Sequence, residues 1–423
     1  VHWRSGWRVD PMVRTGLDRL VTEPEWAQRL SGRRVMLLTH PAAVTGPAAP
    51  FPPLTHAATA LAQWLPTVGA RLTALFGPQH GVRGDKQDNM VFSADEIDPH
   101  LGIPAFSLYG ERLKPTPEQL AHGDLLLVDL QDVGCRVYTY LTTLRYVLEA
   151  AAAVGLEVWV LDRPNPIGRW VEGLCSEPGW ESFVAAGSCP MRHGLTLGEA
   201  AHWFVATRAL DLPLTVVALA GWDPDAAPGY GWPLVTHVWI PPSPNAPTPW
   251  MARCYPGTVM VEGTTLSEGR GTTRPLECFG APWLDPERLL AEMARLAPEW
   301  LAGCVLRPIW FEPTFHKHAG ERCGGVMIHT EPPVFDPAHF RPWRLVALAF
   351  KAIRRLWPDA PLWRAFAYEF ETERLAIDLI NGGPRLREWV EDPSATPADL
   401  DALAAADVAQ WHTARSAWQH RSG

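Results

Sequence analysis

A chain of 423 residues is long enough to bury a large core, and its length favours two or three domains. Hydrophobic residues at 47% and charged residues at 20% exclude a disordered polymer. A formal charge of -9 argues against a nucleic-acid partner, and no uninterrupted apolar run reaches the ~20 residues needed to insert in a membrane. A small anionic ligand held by a few arginines remains compatible with that charge.

The opening stretch, residues 1–13, has two arginines but lacks the apolar run and small-residue cleavage site of a secretory signal. Short apolar runs then alternate with alanine- and leucine-rich stretches. Residues 33–40, 71–78, 124–130, 157–162 and 214–220 read as buried strands, and their nearly continuous apolar character suits a parallel sheet covered on both faces. Residues 56–69 and 138–155 read as helices between them, the second stopping at Gly155. The pattern is that of an open α/β domain.

Ligands of such sheets sit outside the carboxyl ends of the strands. The polar residues expected there are His40, then Gln79 and His80, then Asp129 and Asp132, then Asp162 and Arg163. A proline-rich break at 239–250 marks the boundary between 1–240, the α/β domain, and 241–423, a smaller mixed α/β domain. In the second part residues 286–300, 341–358 and 401–420 read as helices and 323–330 as a strand.

Several segments could carry chemistry. Gly81 and Gly84 let the backbone after residue 77 approach a ligand, or simply form a tight turn. His80 can transfer a proton or bind a hydroxyl, whereas Gln79 hydrogen-bonds but cannot act as acid or base. Asp129, Gln131, Asp132, Arg136, Tyr138 and Tyr140 crowd one strand end, where an Asp–Arg structural pair and an arginine clamp for a carboxylate are both open. Asp162, Asn165 and Glu172 follow the next strand. Thr196 and Glu199 have capping-box spacing, which makes Glu199 structural and leaves His193 freer to orient a ligand. Glu262, Glu268, Arg270 and Arg274 occupy a glycine-rich loop without the spacing of a phosphate loop or a dinucleotide fingerprint, and Ser267 lacks a nucleophile elbow, so no cofactor is expected. No HExxH or compact ligand cluster points to a metal. Seven cysteines without a CxxC pair point to reduced thiols and a cytoplasmic protein.

The segments at 75–84, 103–110, 114–120, 128–140, 161–166, 191–199, 243–248, 255–283 and 311–329, in this order, resemble the exo-acting β-N-acetylmuramidases of peptidoglycan recycling, and the similarity runs from about residue 13 nearly to the C-terminus. The resemblance implies a Rossmann-like half without nucleotide, a smaller α/β half closing a cleft, and release of N-acetylmuramic acid from the non-reducing ends of peptidoglycan fragments. It implies a muropeptide or muramyl sugar as ligand and leaves a homodimer open. The family's usual first loop carries a catalytic glutamate where this chain has Gln79. The roles implied are Gln79 and His80 near the scissile oxygen or attacking water, Asp129 or Asp132 as supporting carboxylate, and Arg136 or Arg163 against the lactyl carboxylate. Tyr138 and His193 would position sugar hydroxyls, with Asp162, Asn165, Glu172, Glu262, Glu268 and Arg270 as further substrate contacts. A muramyl-sugar-binding homologue without hydrolysis is the alternative that Gln79 raises.

Overall fold

Strands whose every residue is apolar need cover on both faces. A computed structural model, which describes residues 12–88, 90–226, 230–234 and 236–419, provides that cover; the opening segment 1–11 lies outside the described residues. Seven strands form the main sheet: β1 (Arg34–Thr39), β2 (Arg71–Gly77), β3 (Glu96–Ile97), β4 (Pro104–Ser107), β5 (Leu125–Asp129), β6 (Glu157–Leu161) and β7 (Leu214–Val217). Their spatial order is β3-β4-β2-β1-β5-β6-β7, parallel throughout except for β3 against β4. Register along β1 and β5 pairs Val35 with Leu125 and Leu38 with Val128.

Alternate residues of these strands enter two cores. Met36, Leu38, Leu126 and Val128 join a cluster with Leu144, Phe204, Trp343 and Ile377, so one apolar core runs through both halves of the chain. Val35, Leu37, Leu125 and Leu127 face the other way, onto Leu17, Leu61 and Trp159. The helix Tyr140–Val154 ends at Gly155, whose left-handed φ of 66° lets its amide reach back to the last turn. The helix Leu197–Thr207 starts on the Thr196–Glu199 capping box that the sequence predicts.

A second sheet has the antiparallel order β8-β10-β9, built from β8 (Cys278–Ala281), β9 (Val305–Phe311) and β10 (Cys323–His329). Its strands approach closely at Gly280, where a Cβ would lie 2.2 Å from the Gly324 carbonyl oxygen. The helices Pro249–Thr258, Pro286–Leu296, Pro342–Leu356, Ala376–Asn381, Arg385–Glu391 and Pro397–Arg415 surround this sheet. The last packs back on the first half, with the Trp411 indole donating to the His193 carbonyl at 2.8 Å. All seven cysteines are free thiols. Among the described residues no helix is long and apolar enough to cross a membrane.

The chain leaves β1 toward β2 on one side and returns to β5 on the other, which makes the carboxyl ends of β1 and β5 a topological switch point. Asp129 fills it. Its two oxygens accept from Arg163 Nε at 2.5 Å and Nη2 at 3.0 Å, and both side chains are buried. His40 stands beside the pair, and burial, then the Arg163 and His56 charges, hold its pKa well below the ordinary value, so it stays neutral. Removing one member of a buried ion pair leaves an uncompensated charge. Asp129→Ala is therefore expected to lower unfolding free energy by about 3–5 kcal/mol in urea titrations, and a second change, Arg163→Met, to restore much of it.

Candidate active site

A cavity opens off the carboxyl end of β2, between that loop, the loop after β5 and three segments of the second half. Gln79, His80, Tyr138 and Thr139 line it from the first half, and Tyr255, Glu262, Arg270, Tyr368 and Glu369 from the second. The proline-rich segment 239–250 contributes Ser243 and Asn245 to its wall. Asn245 fixes the β2 loop by donating to the Gln87 carbonyl at 2.8 Å. Two roomier clefts flank residues 93–107, but their charged groups are exposed, Arg83, Asp85 and Glu96 in one and Asp95, Glu111 and Arg112 in the other, apart from half-buried Lys86, and none of the cavity's converging titratable groups lies in them.

Gln79 sits between two partners that fix the orientation of its amide. Its Oε1 accepts from the Thr139 hydroxyl at 2.7 Å, and its Nε2 donates to Glu369 Oε1 at 3.1 Å. Glu369 Oε2 accepts from the Tyr109 hydroxyl at 2.7 Å. Burial pushes Glu369 up to about 7, against the pull of the Tyr109 and Gln79 hydrogen bonds; the Glu262 charge pushes the same way as burial and Arg270 opposes it. Burial also raises the Tyr109 phenol, so it remains a donor.

His80 Nδ1 lies 2.7 Å from the Lys86 carbonyl, which can only accept, so the proton sits on Nδ1 and Nε2 keeps a lone pair. Burial pushes its pKa down to about 4, with Arg270 acting in the same direction. Across the cavity Arg270 Nη2 donates to Glu262 at 2.6 Å and its Nε to Glu268 at 2.9 Å. Glu262 also accepts from the Tyr368 hydroxyl at 2.8 Å. Burial works against the charge of Glu268, yet Lys317 at 2.8 Å, His316 and Arg270 hold its pKa well below the carboxylate range. Three non-glycine residues of this site, His80, Glu369 and Phe370, have left-handed φ of 71°, 45° and 71°. Such backbone costs of order 1–3 kcal/mol per residue and collects at functional sites.

The cavity thus brings together Gln79, His80, Tyr138, Glu262 and Arg270 of the residues expected from sequence, with Glu268 behind Arg270. The others lie elsewhere. Asp129 and Arg163 neutralise each other at the switch point. Arg136, expected as a clamp, is fully buried and spends its donors on the carbonyls of Leu174, Cys189 and Ile380 at 2.6–2.8 Å. Asp132 accepts from the Gly134 amide at 2.6 Å and lies 3.6 Å from His193 Nε2, both outside the cavity lining. Asp162 accepts from Thr196 and from the Gly198 amide at the start of the following helix, and burial raises its pKa to about 7. Asn165 braces its loop through the Leu195 carbonyl and the Ile167 amide. Glu172 accepts from the Arg344 amide at 2.9 Å.

Glu369, Tyr368, Tyr255 and Thr139 line the cavity without having been expected from the sequence, and neither was Tyr109, which donates to Glu369 from behind it. Residues 357–375 run between two helices with nothing longer than isolated bridges, and that length of irregular chain is itself a signal of function.

Comparison with known proteins assigns the lineage. The model of the exo-β-N-acetylmuramidase NamZ N-terminal family matches residues 35–250, and that of the NamZ C-terminal family matches residues 253–419. The chain belongs to the exo-β-N-acetylmuramidase NamZ family. A peptidoglycan β-N-acetylmuramidase NamZ of Bacillus subtilis is 39% identical over 360 residues, 82% of this chain and 79% of that protein. Two crystal structures of DUF1343 family proteins from Bacteroides fragilis share the fold. One superposes with a TM-score of 0.81 at 32% identity, and the other with 0.72 at 23%; each alignment covers 96% of this chain and 98% of the other.

A carboxyl whose pKa is higher folded than unfolded favours its neutral form in the native state, so its contribution to stability is present at low pH and lost as pH rises through the folded value. For Glu369 the rise from 4.5 to about 7 corresponds to about 3 kcal/mol. Glu369→Gln, which keeps the shape and can hydrogen-bond both neighbours, is expected to match wild type near pH 4 and to exceed it by that order at pH 8. Urea midpoints at the two pH values check this.

Proposed function

We propose that this cavity is where the chain hydrolyses the glycosidic bond of a terminal, non-reducing β-linked N-acetylmuramic acid, the substrate being a peptidoglycan-derived glycan or muropeptide. The observation that carries the proposal is the pairing, in one cavity of a NamZ-family chain, of a carboxyl that titrates near neutrality with an imidazole that stays neutral. Environments that push two titratable pKa values apart are how one site holds a proton donor and a proton acceptor at the same pH.

Glycosidases of most families act through two carboxyl groups flanking the scissile bond. Glu262 and Glu369 are the two that line this cavity. Glu262, fixed by Arg270 and Tyr368, supplies negative potential against the positive charge that develops at the anomeric carbon. His80 presents the lone pair of Nε2 to a sugar hydroxyl or to water. Tyr138 and Tyr255, their rings 5.8 Å apart and edge to face, give the sugar ring an aromatic wall with a polar rim. Arg270 is committed to two carboxylates, so it organises Glu262 instead of capturing the lactyl group of the substrate.

The purified protein is expected to release free N-acetylmuramic acid from a disaccharide of N-acetylmuramic acid β-1,4-linked to N-acetylglucosamine, and to leave the same glycan capped by N-acetylglucosamine intact. Release from the capped glycan, or none from either by folded protein, refutes the proposal. The rate is expected to fall below about pH 4 as His80 protonates.

A further inference from the structure

We infer that Glu369 is the proton-transferring carboxyl of this chain and that Gln79 is the positioning residue that holds it in the cavity. The inference rests on the glycosidase reading of the same cavity. The position at which the first loop could offer an acid holds an amide, which can neither give nor take a proton in the reaction. That amide is not idle. An ionised Glu369 can only accept, so the Gln79 NH2 faces it at 3.1 Å and Oε1 takes the Thr139 hydroxyl at 2.7 Å.

The other cavity carboxyl, Glu262, is ion-paired to Arg270 at 2.6 Å, whereas Glu369 takes its hydrogen bonds from two uncharged donors, the Gln79 amide and the Tyr109 phenol. Each oxygen of Glu369 thereby keeps a second site for a substrate oxygen. The side chain is 6% exposed, and its left-handed backbone is the kind of strained conformation retained where geometry matters. Outside the cavity, Asp129 is neutralised by Arg163, and Asp132 and Asp162 hold backbone amides. The charged and titratable groups facing Glu369 are Tyr109, Tyr368, Glu262 and Arg270, and burial as the largest cause brings its pKa to about 7, so both protonation states are populated at neutral pH.

In the reaction the Glu369 carboxyl gives its proton to the glycosidic oxygen as the bond from that oxygen to the anomeric carbon breaks, the bonding pair staying on the departing oxygen. A water oxygen ends on the anomeric carbon with one of its hydrogens, and the other hydrogen returns to the Glu369 carboxylate. The enzyme is regenerated and no redox partner is needed.

The test uses wild type, Glu369→Gln and Gln79→Glu on two substrates, the β-1,4-linked disaccharide and 2,4-dinitrophenyl β-N-acetylmuramide, whose phenolate departs without a proton. Glu369→Gln is expected to lose roughly 10²–10⁴-fold on the disaccharide while keeping a far larger share of its rate on the aryl substrate. Wild-type turnover of the disaccharide is expected to decline as pH rises through about 7. In Gln79→Glu two carboxyls within hydrogen-bond distance compete for one proton, so the alkaline limb moves to higher pH. Unimpaired disaccharide cleavage by Glu369→Gln, or equal loss on both substrates with native circular dichroism, overturns the assignment of Glu369. An unmoved limb in Gln79→Glu overturns the role of Gln79. Wild type inert toward both substrates overturns the glycosidase reading itself and the assignment with it, a failure recognisable because it precedes any mutation.

Discussion

A parallel sheet covered on both faces carries polar side chains to its carboxyl edge, and the covering layers keep water from them. Each such group must find a partner inside the protein, because an unpaired buried charge costs several kcal/mol. Much of this structure satisfies that demand. Asp129 meets Arg163, Arg136 meets three carbonyls drawn from both halves of the chain, and Asp162 meets the start of a helix. Because Arg136 binds Ile380 as well as Leu174 and Cys189, the same hydrogen bonds that solvate a buried cation fasten the second half onto the first.

The demand also separates structural groups from reactive ones. A side chain whose hydrogen bonds or ion pairs are fully taken up inside the protein has nothing left for a ligand. Glu369 differs in kind: its donors are uncharged, its pKa is lifted by burial, and the cavity reaches it. The amide at position 79 bears directly on this. A carboxyl there would stand within hydrogen-bond distance of Glu369, two acids sharing one proton, and the pair would titrate as a unit. The amide removes that coupling and leaves a single carboxyl whose ionisation is set by burial, a phenol and an amide. The neighbouring imidazole is equally simple, since a His80 pKa of about 4 gives it the basicity of an ordinary carboxylate.

Much of the scaffold was legible in the sequence. β1, β2, β5, β6 and β7 fall within the apolar runs that mark them, because strands buried on both faces leave an unbroken signature. β9 was hidden by Pro308, which an edge strand tolerates and a central one does not. At the site, Gln79, His80, Tyr138, Glu262 and Arg270 stand in dense polar loops that announce themselves. Glu369 does not: it lies 290 residues from Gln79 in irregular chain, and its chemistry arises from burial that no local pattern encodes. Arg136 and Asp132 misled for the opposite reason. Their local sequence is as polar as the site's, and only tertiary packing determines that Arg136 donates to three backbone carbonyls and that one oxygen of Asp132 accepts from the Gly134 amide outside the cavity.

Holding Glu369 in place requires that a strained turn be clamped. The turn at residues 368–371 closes through reciprocal backbone hydrogen bonds between Tyr368 and Glu371, with two left-handed residues between them. Phe370 then packs edge-on against Tyr109 and Phe183, at ring separations of 5.4 and 5.6 Å, and lies parallel to Phe92 at 5.8 Å. Aromatic contacts of this kind contribute about 0.5–1.5 kcal/mol each beyond buried area, so the three together are of the size needed to offset the backbone strain. Tyr109 belongs both to that cluster and to the carboxyl's hydrogen bonds, which couples the clamp to the proton: a change in the ring packing around Phe370 moves the donor on Glu369 as well as the backbone that carries it.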